Sequence, residues 1–388
     1  MRVRSLPPLS PDEEAHAARV HRALAARIAE NGGWLSFGEF MKFALYAPGL
    51  GYYSAGAQKF GADGDFVTAP ELTPLYARCV ARQIVEIFER TGGREVLEFG
   101  AGSGALAADL MRALTELGCA PERYQIVEVS ADLRERQRAH IGKALGSLAD
   151  RVHWPDALPA KPVRGVLIAN EVLDALPVER FRIHQGRIDM LGVAVDGGVI
   201  VERARPADAR LDGMVRALPV MREEGYVSEI CPLLPAWIAS AAPLVAAGVL
   251  LIMDYGLPRA QYYLPERRDG SLVCHYRQRV HADPLVRIGL QDITAWVDFT
   301  AVAEAAVAHG LEVIGFSTQA HFLIGCGLDK ALDTLPAMDS AERRAAVQAV
   351  NRLLLPGEMG EAFKVMALGR GVAEPLTGFS VRDLRHTL

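Results

Sequence analysis

Glu95-Val96-Leu97-Glu98-Phe99-Gly100-Ala101-Gly102-Ser103-Gly104 decides how this chain folds. An apolar run of strand length ends in three glycines at alternate positions, and an apolar helical pattern starts at Ala105. A chain leaving a buried strand for a helix through so tight a turn needs residues that tolerate left-handed backbone and lack a Cβ. The helix that follows presents unpaired N–H groups to a ligand. The Gly-x-Gly-x-Gly spacing is not the Gly-x-Gly-x-x-Gly of dinucleotide folds. No Gly-Lys-Ser/Thr follows to grip a phosphate either.

Outward from this turn, short apolar runs alternate with helical patterns, the signature of a parallel sheet with crossovers. Strands are expected at Glu95–Phe99, Tyr124–Val129, Val152–Trp154, Val163–Ala169, Gly248–Met253, Leu311–Phe316 and Ala362–Leu368. Helices are expected at Ala105–Leu117, Ala131–Leu145 and Thr300–His309. Upstream, a helix from Pro11 to Glu30 is capped by Ser10 and stopped by Asn31-Gly32-Gly33. A second helix runs from about Leu72 to Arg90, with Thr68 or Thr73 as its cap. Arg180–Glu202 alternates like paired strands turning at Gly186 and at Asp196-Gly197-Gly198. The expected fold is α/β and doubly wound, a mostly parallel seven-strand sheet with an N-terminal arm and two insertions. Residues 1–93 form the helical arm and lid, and 94–388 the sheet domain, with insertions at about 180–235 and 257–291 added to the one sheet.

In open parallel sheets, ligands bind at the carboxyl ends of the strands where strand order reverses. Glu128, ending the second strand, can accept hydrogen bonds from both hydroxyls of a ribose. Asp156, after Trp154, can accept from an adenine amino group, or it is an ordinary turn aspartate. Acids at strand ends beside three glycines, without a phosphate grip, suit an adenosine that carries no phosphate. That favours S-adenosylmethionine over NAD. The candidate cofactor contacts are Glu98, Gly100, Gly102, Gly104, Glu128, Asp156 and Asn170.

Of the 388 residues half are hydrophobic, and 47 acidic against 42 basic side chains leave a net charge of −5. That balance argues against a general binder of nucleic acid or anionic membranes. The longest apolar run, Leu244–Met253, is about strand length and far short of a membrane span. Arg2 and Arg4 are followed by Pro7-Pro8 and by acids, which suits neither a secretory signal nor a transit peptide, so a cytoplasmic protein is expected. The five cysteines are scattered, with no Cys-x-x-Cys and no His/Cys spacing for a metal.

Several further segments resemble the MidA family, methyltransferases associated with assembly of mitochondrial respiratory complex I, and their bacterial relatives. They are Gly64-Asp65-Phe66-Val67-Thr68-Ala69-Pro70-Glu71, Leu97–Gly104, Asn170-Glu171-Val172-Leu173-Asp174-Ala175-Leu176-Pro177-Val178, Asp254-Tyr255-Gly256, Gln291–Ala295 and Val297-Asp298-Phe299. One departure is Ala101, where the family usually has proline. The resemblance implies a class I methyltransferase fold using S-adenosylmethionine. For the mitochondrial members it implies methylation of a protein arginine, with a respiratory-complex subunit as a partner.

Glu171 and Asp174 are the candidates to hold the methyl acceptor, on one face if they lie on a helical turn. Alternatively they suit the dipole of a helix N-terminus. Glu179 is a third acid nearby. The segment Gly64–Glu71 precedes the sheet and is expected to fold back as a lid, with Asp65, Phe66, Thr68 and Glu71 as contacts and Tyr53 at the substrate entrance. Rival readings are a small-molecule methyltransferase and a non-catalytic assembly module that keeps the cofactor fold.

Overall fold

A computed structural model describes residues 6–54, 68–219, 223–333, 340–372 and 375–388. Contacts divide the chain into two compact units, each built from several stretches of sequence.

The first unit comprises residues 67–173, 235–258 and 297–388. Its strands are β1 (Glu95–Phe99), β2 (Arg123–Val127), β3 (Val152–His153), β4 (Val163–Asn170), β5 (Val245–Leu257), β6 (Glu312–Thr318) and β7 (Phe363–Arg370). They lie in the order β3-β2-β1-β4-β5-β7-β6, with the short Val297–Asp298 strand pairing to the end of β5. Strands β3, β2, β1, β4 and β5 are parallel, and β7 runs antiparallel to both of its neighbours. The sheet is therefore the doubly wound, mostly parallel one expected, and its order reverses between β1 and β4. Strand β4 is buried on both faces from Gly165 to Ala169, as a parallel sheet covered by helices requires.

Helices α1 (Pro74–Thr91), α2 (Ala105–Glu116) and α3 (Ala131–Leu145) supply Val80, Ile84, Leu110, Leu114 and Ile141 to the core shared with Val96, Ile126, Val166 and Ile168. The helix expected from about Leu72 starts at Pro74, preceded by a separate short helix, Ala69–Leu72. Thr73 is extended (φ −167°, ψ 141°) ahead of Pro74, which disfavours a helical conformation in the residue before it. Thr68 is thus the N-cap of Ala69–Leu72, and Thr73 the N-cap of α1.

The second unit gathers residues 1–66, 174–234 and 259–296, so only the first part of the expected arm shares a body with the two insertions, and its later part, with α1, belongs to the first unit. The insertions do not join the large sheet. Leu35–Ser36, Glu179–His184, Arg187–Asp196, Val199–Pro206 and Val227–Ile230 form an antiparallel sheet of their own. A three-stranded sheet is made by Val273–Tyr276, Arg279–His281 and Asp292–Thr294. Neither insertion could bury a core alone. Together with helices Pro11–Glu30 and Phe37–Tyr46 they enclose Val20, Leu24, Ile28, Phe40, Val193, Ile200 and Ile293. The hairpins turn at Gln185-Gly186 and Gly197-Gly198, all at positive φ, which matches the twist of antiparallel strands. Ser10 caps the first helix in a reciprocal bond with Glu13.

Among the described residues, no helix is long and apolar enough to cross a membrane. Likewise, no group of three or more His, Cys, Asp or Glu there is placed to hold a metal.

Candidate active site

The turn leaving β1 bends through Gly100, Gly102 and Gly104 at φ +60°, +54° and +82°. Space adds to the conformational demand. A Cβ on Gly100 would lie 3.3 Å from Val172 Cγ2, and one on Gly104 would lie 3.2 Å from Ile141 Cδ1. Gly104 is the N-cap of α2 and supplies no side-chain cap, so the first-turn N–H groups are left to a ligand or solvent.

Glu128 follows β2 and is buried. Its Oε1 accepts from the Ser130 amide (2.9 Å) and its Oε2 from Gln137 Nε2 (2.9 Å). The Val129 amide is a third donor, so of the roughly four acceptor sites of the carboxylate about one is left for a ligand hydroxyl. Burial pushes its carboxyl upward, and the bonds from Ser130 and Gln137 oppose that. Gln137 also donates to the Gly102 carbonyl (3.0 Å) and accepts from Trp154 Nε1 (2.9 Å), tying glycine turn, acid and indole together. Sequence reasoning missed Gln137. The signal was there, because it interrupts the buried stripe Leu133, Gln137, Ile141, Leu145 on α3.

Two expected cofactor contacts are placed differently. Glu98 is buried within the sheet and accepts from the Tyr124 hydroxyl on the neighbouring strand (2.6 Å); burial pushes its carboxyl up to about 7. The Asp156 side chain is 97% exposed and pairs with Arg134 (2.7 Å). It is not in the buried network because Arg134, which also donates to the Glu128 carbonyl, holds it at the surface.

At the end of β4, Asn170 accepts from the Tyr76 hydroxyl (2.8 Å) and donates to Glu171 Oε1 (3.3 Å). The same Glu171 oxygen accepts from the Ala69 amide (3.4 Å). Glu171 is half-buried and lies at φ +53°, so no helical turn runs from it to Asp174. That corrects the expectation that the two acids share a helix face. The left-handed bend is secured from β5: Asp254 Oδ2 accepts from the amides of Val172 (3.1 Å) and Leu173 (2.8 Å), and the Met253 carbonyl from that of Glu171 (2.9 Å). Burial, then the charge of Asp254, pushes the Glu171 carboxyl up to about 8.

The family-like segment before the sheet also reaches this edge. Glu71 Oε2 accepts from the Thr68 amide (3.2 Å), and its Oε1 accepts from Ser103 Oγ in the glycine turn (2.9 Å). Asp65 and Phe66 lie outside the described residues.

Asp174 and Tyr53 belong to the second unit. There the Tyr53 hydroxyl donates to Asp292 (3.0 Å), and its ring stacks on Tyr46 with centroids 5.6 Å apart. Burial first, then Asp292, raises the Tyr53 hydroxyl well above its ordinary value. Asp174 is buried, and its carbonyl accepts from the Ala295 amide (3.0 Å). Glu179 accepts from Ser36 Oγ (2.8 Å) and the Gly38 amide (3.2 Å), which makes it a support for the start of the Phe37–Tyr46 helix. In the arginine-rich insertion, Arg277 pairs with Glu13 (2.8 Å), Arg267 lies over Trp296 (4.5 Å) and Arg287 donates to the Pro7 carbonyl (3.0 Å). These contacts bind the insertion to itself and to the arm.

Residues 79–317 match the model of the S-adenosyl-L-methionine-dependent methyltransferase family Methyltransf_28. Among curated proteins, the chain is 26% identical to "Protein arginine methyltransferase NDUFAF7 homolog, mitochondrial" of Drosophila melanogaster, covering 96% of this chain and 92% of that one. It is 27% identical to the human "Protein arginine methyltransferase NDUFAF7, mitochondrial", covering 89% and 82%. These relatives are mitochondrial proteins, which overturns the expectation of a cytoplasmic one. A crystal structure of a COG1565 superfamily member from Burkholderia thailandensis, bound to S-adenosyl-homocysteine, superposes with a TM-score of 0.95 at 42% identity, over 99% of this chain and 100% of that one. The family model covers more than half of the chain and its near-complete structural relative carries the demethylated cofactor, so the chain belongs to the MidA-like family of S-adenosylmethionine-dependent methyltransferases.

Proposed function

We propose that this methyltransferase modifies an arginine side chain of a protein, with Glu171 as the acid facing the acceptor. The observation that carries the reading is the half-buried Glu171 carboxylate, held by Ala69 and Asn170 on a turn whose Val172 packs beside Gly100. The chemistry supplied by the cofactor is an electrophilic methyl on a sulfonium, so a nitrogen–carbon bond forms as the carbon–sulfur bond breaks and the acceptor loses one proton. A guanidinium is permanently protonated and offers no lone pair. A carboxylate beside it draws the charge toward one edge and leaves another nitrogen more nucleophilic. Glu171 is suited to both parts. Its carboxyl, raised to about 8, gives up its proton as a cation arrives, and the carboxylate so formed is placed to take the proton that the acceptor loses.

On the cofactor side, Glu128 receives a ribose hydroxyl at the acceptor site left by Ser130, Gln137 and Val129. Gly100, Gly102 and Gly104 allow close approach to the backbone. Trp154, oriented by Gln137, walls the base. The relatives named as protein arginine methyltransferases support an arginine acceptor, and the family resemblance favours a respiratory-complex subunit as the protein.

The test is transfer from isotopically labelled S-adenosylmethionine into a fractionated extract of the source cells, followed by mass spectrometry of the labelled products. Methylarginine in a protein is the expected outcome. Label confined to small molecules would overturn the reading.

A further inference from the structure

Thr68–Leu72 touches both halves of this site, through the Glu71 side chain and the Ala69 amide. Glu71 bridges the Thr68 amide (3.2 Å) and the Ser103 hydroxyl of the glycine turn (2.9 Å). One residue after Thr68, the Ala69 amide reaches Glu171 Oε1 (3.4 Å). Ala69 and Pro70 are buried and Thr68 is the N-cap of this short helix, so the segment is a capped, packed unit. We propose that Glu71 is a positioning residue that couples the cofactor turn at Ser103 to the orientation of Glu171.

The physical route is short. A ligand that orders residues Gly100–Gly104 fixes Ser103 Oγ. The Ser103–Glu71 bond transmits that order to the Thr68 amide, and the helix start carries it to Ala69. With Ala69 fixed, Glu171 Oε1 has a donor at a defined place and its rotamer freedom falls. Asn170, itself held by Tyr76, supplies the second donor from the strand side. The connection is reciprocal, as any coupling between two sites must be. Order imposed at Glu171 would also favour the cofactor-binding form of the turn.

This inference rests on Glu171 as the acceptor-facing acid, yet its test does not need turnover. The full-length chain is compared with and without S-adenosylhomocysteine by amide hydrogen exchange, which reads local opening. In the parent, the ligand should slow exchange at residues 100–104, at 68–72 and at 171–173. Ser103→Ala removes the hydroxyl, and Glu71→Gln puts an amide where two donors converged. Both variants should keep ligand protection at 100–104 and lose most of it, about fivefold or more, at 68–72 and 171–173. Undiminished protection at 171–173 in both variants would overturn the proposal. Loss of ligand binding in both would also overturn it, because Glu71 would then be part of the binding site itself. Ser103→Ala keeps the test open if Glu71→Gln folds poorly. In transfer assays, both variants should lower kcat more than they raise the cofactor KM. If Glu171→Gln keeps full turnover while the exchange coupling persists, the catalytic reading of Glu171 fails and the coupling stands.

Discussion

Two turns leave the carboxyl ends of the adjacent strands β1 and β4, and both enter left-handed backbone. The first does so at Gly100, Gly102 and Gly104, where the conformation costs no side-chain clash. The second does so at Glu171, a residue with a full side chain at φ +53°. Such a residue is strained by roughly 1–3 kcal/mol and persists only where its surroundings over-determine it. Here those surroundings are visible. Asp254, fully buried, accepts from the two amides that follow Glu171, and the Met253 carbonyl accepts from the Glu171 amide. The glycine turn is permissive by composition, whereas the turn at Glu171 is forced by a neighbouring strand. Strain kept at a non-glycine residue is the pattern expected where a side chain is needed at that point.

The comparison breaks most sharply at Gly102. Gly102→Val puts a β-branched residue at φ +54°, a backbone conformation such residues almost never adopt. Calorimetry should detect no S-adenosylhomocysteine binding, and near-parental affinity would remove the glycine turn from the cofactor site. Next in size is Glu171→Gln, which keeps the shape and removes the charge. Single-turnover transfer should fall by about 100-fold, as when a preorganised electrostatic partner is lost, with cofactor affinity unchanged. Unchanged turnover would leave the turn at Glu171 a purely structural device. Glu128→Ala should weaken cofactor binding by about 1–3 kcal/mol, the range for losing a buried hydrogen-bonding partner, with no change in the pH dependence of transfer.

The smallest effect tests the strain itself. Glu171→Gly should be more stable to urea than Glu171→Gln by about 1 kcal/mol, because glycine accepts the left-handed bend freely. The pH dependence of stability adds a sign. Burial raises the Glu171 carboxyl from 4.5 to about 8, so the folded chain binds this proton more tightly than the unfolded chain. The contribution is complete below 4.5 and is lost as pH rises through about 8. Urea titrations across that window should show the parent losing stability with rising pH, and Glu171→Gln should lose less. An identical slope in the two proteins would mean that Glu171 is not the group responsible.

What could be read in advance followed from local demands. Alternating apolar runs and helical patterns specify a parallel sheet with crossovers. Three glycines at alternate positions specify a left-handed turn whichever helix follows. The burial of Glu128 beside the turn fits the expectation that an acid ends the second strand facing a ligand rather than solvent. The helix start was left between Thr68 and Thr73, and Pro74 decides it, because proline suits the first helical position and leaves Thr73 as the cap.

The amino-acid sequence by itself determined the sheet, the glycine turn and the position of Glu171 after β4, since period, φ preference and strand order are properties of neighbouring residues. Tertiary structure alone decided that helices Pro11–Glu30 and Phe37–Tyr46 share a core with two distant insertions, because none of them can bury its apolar face unaided. It also decided the polar bonds that shape the site. Val172 and Asp254 are 82 residues apart, Ala69 and Glu171 are 102 apart, and Glu71 and Ser103 are 32 apart. A buried carboxylate must find donors wherever packing brings them, and packing follows from the whole chain rather than from the few residues beside it.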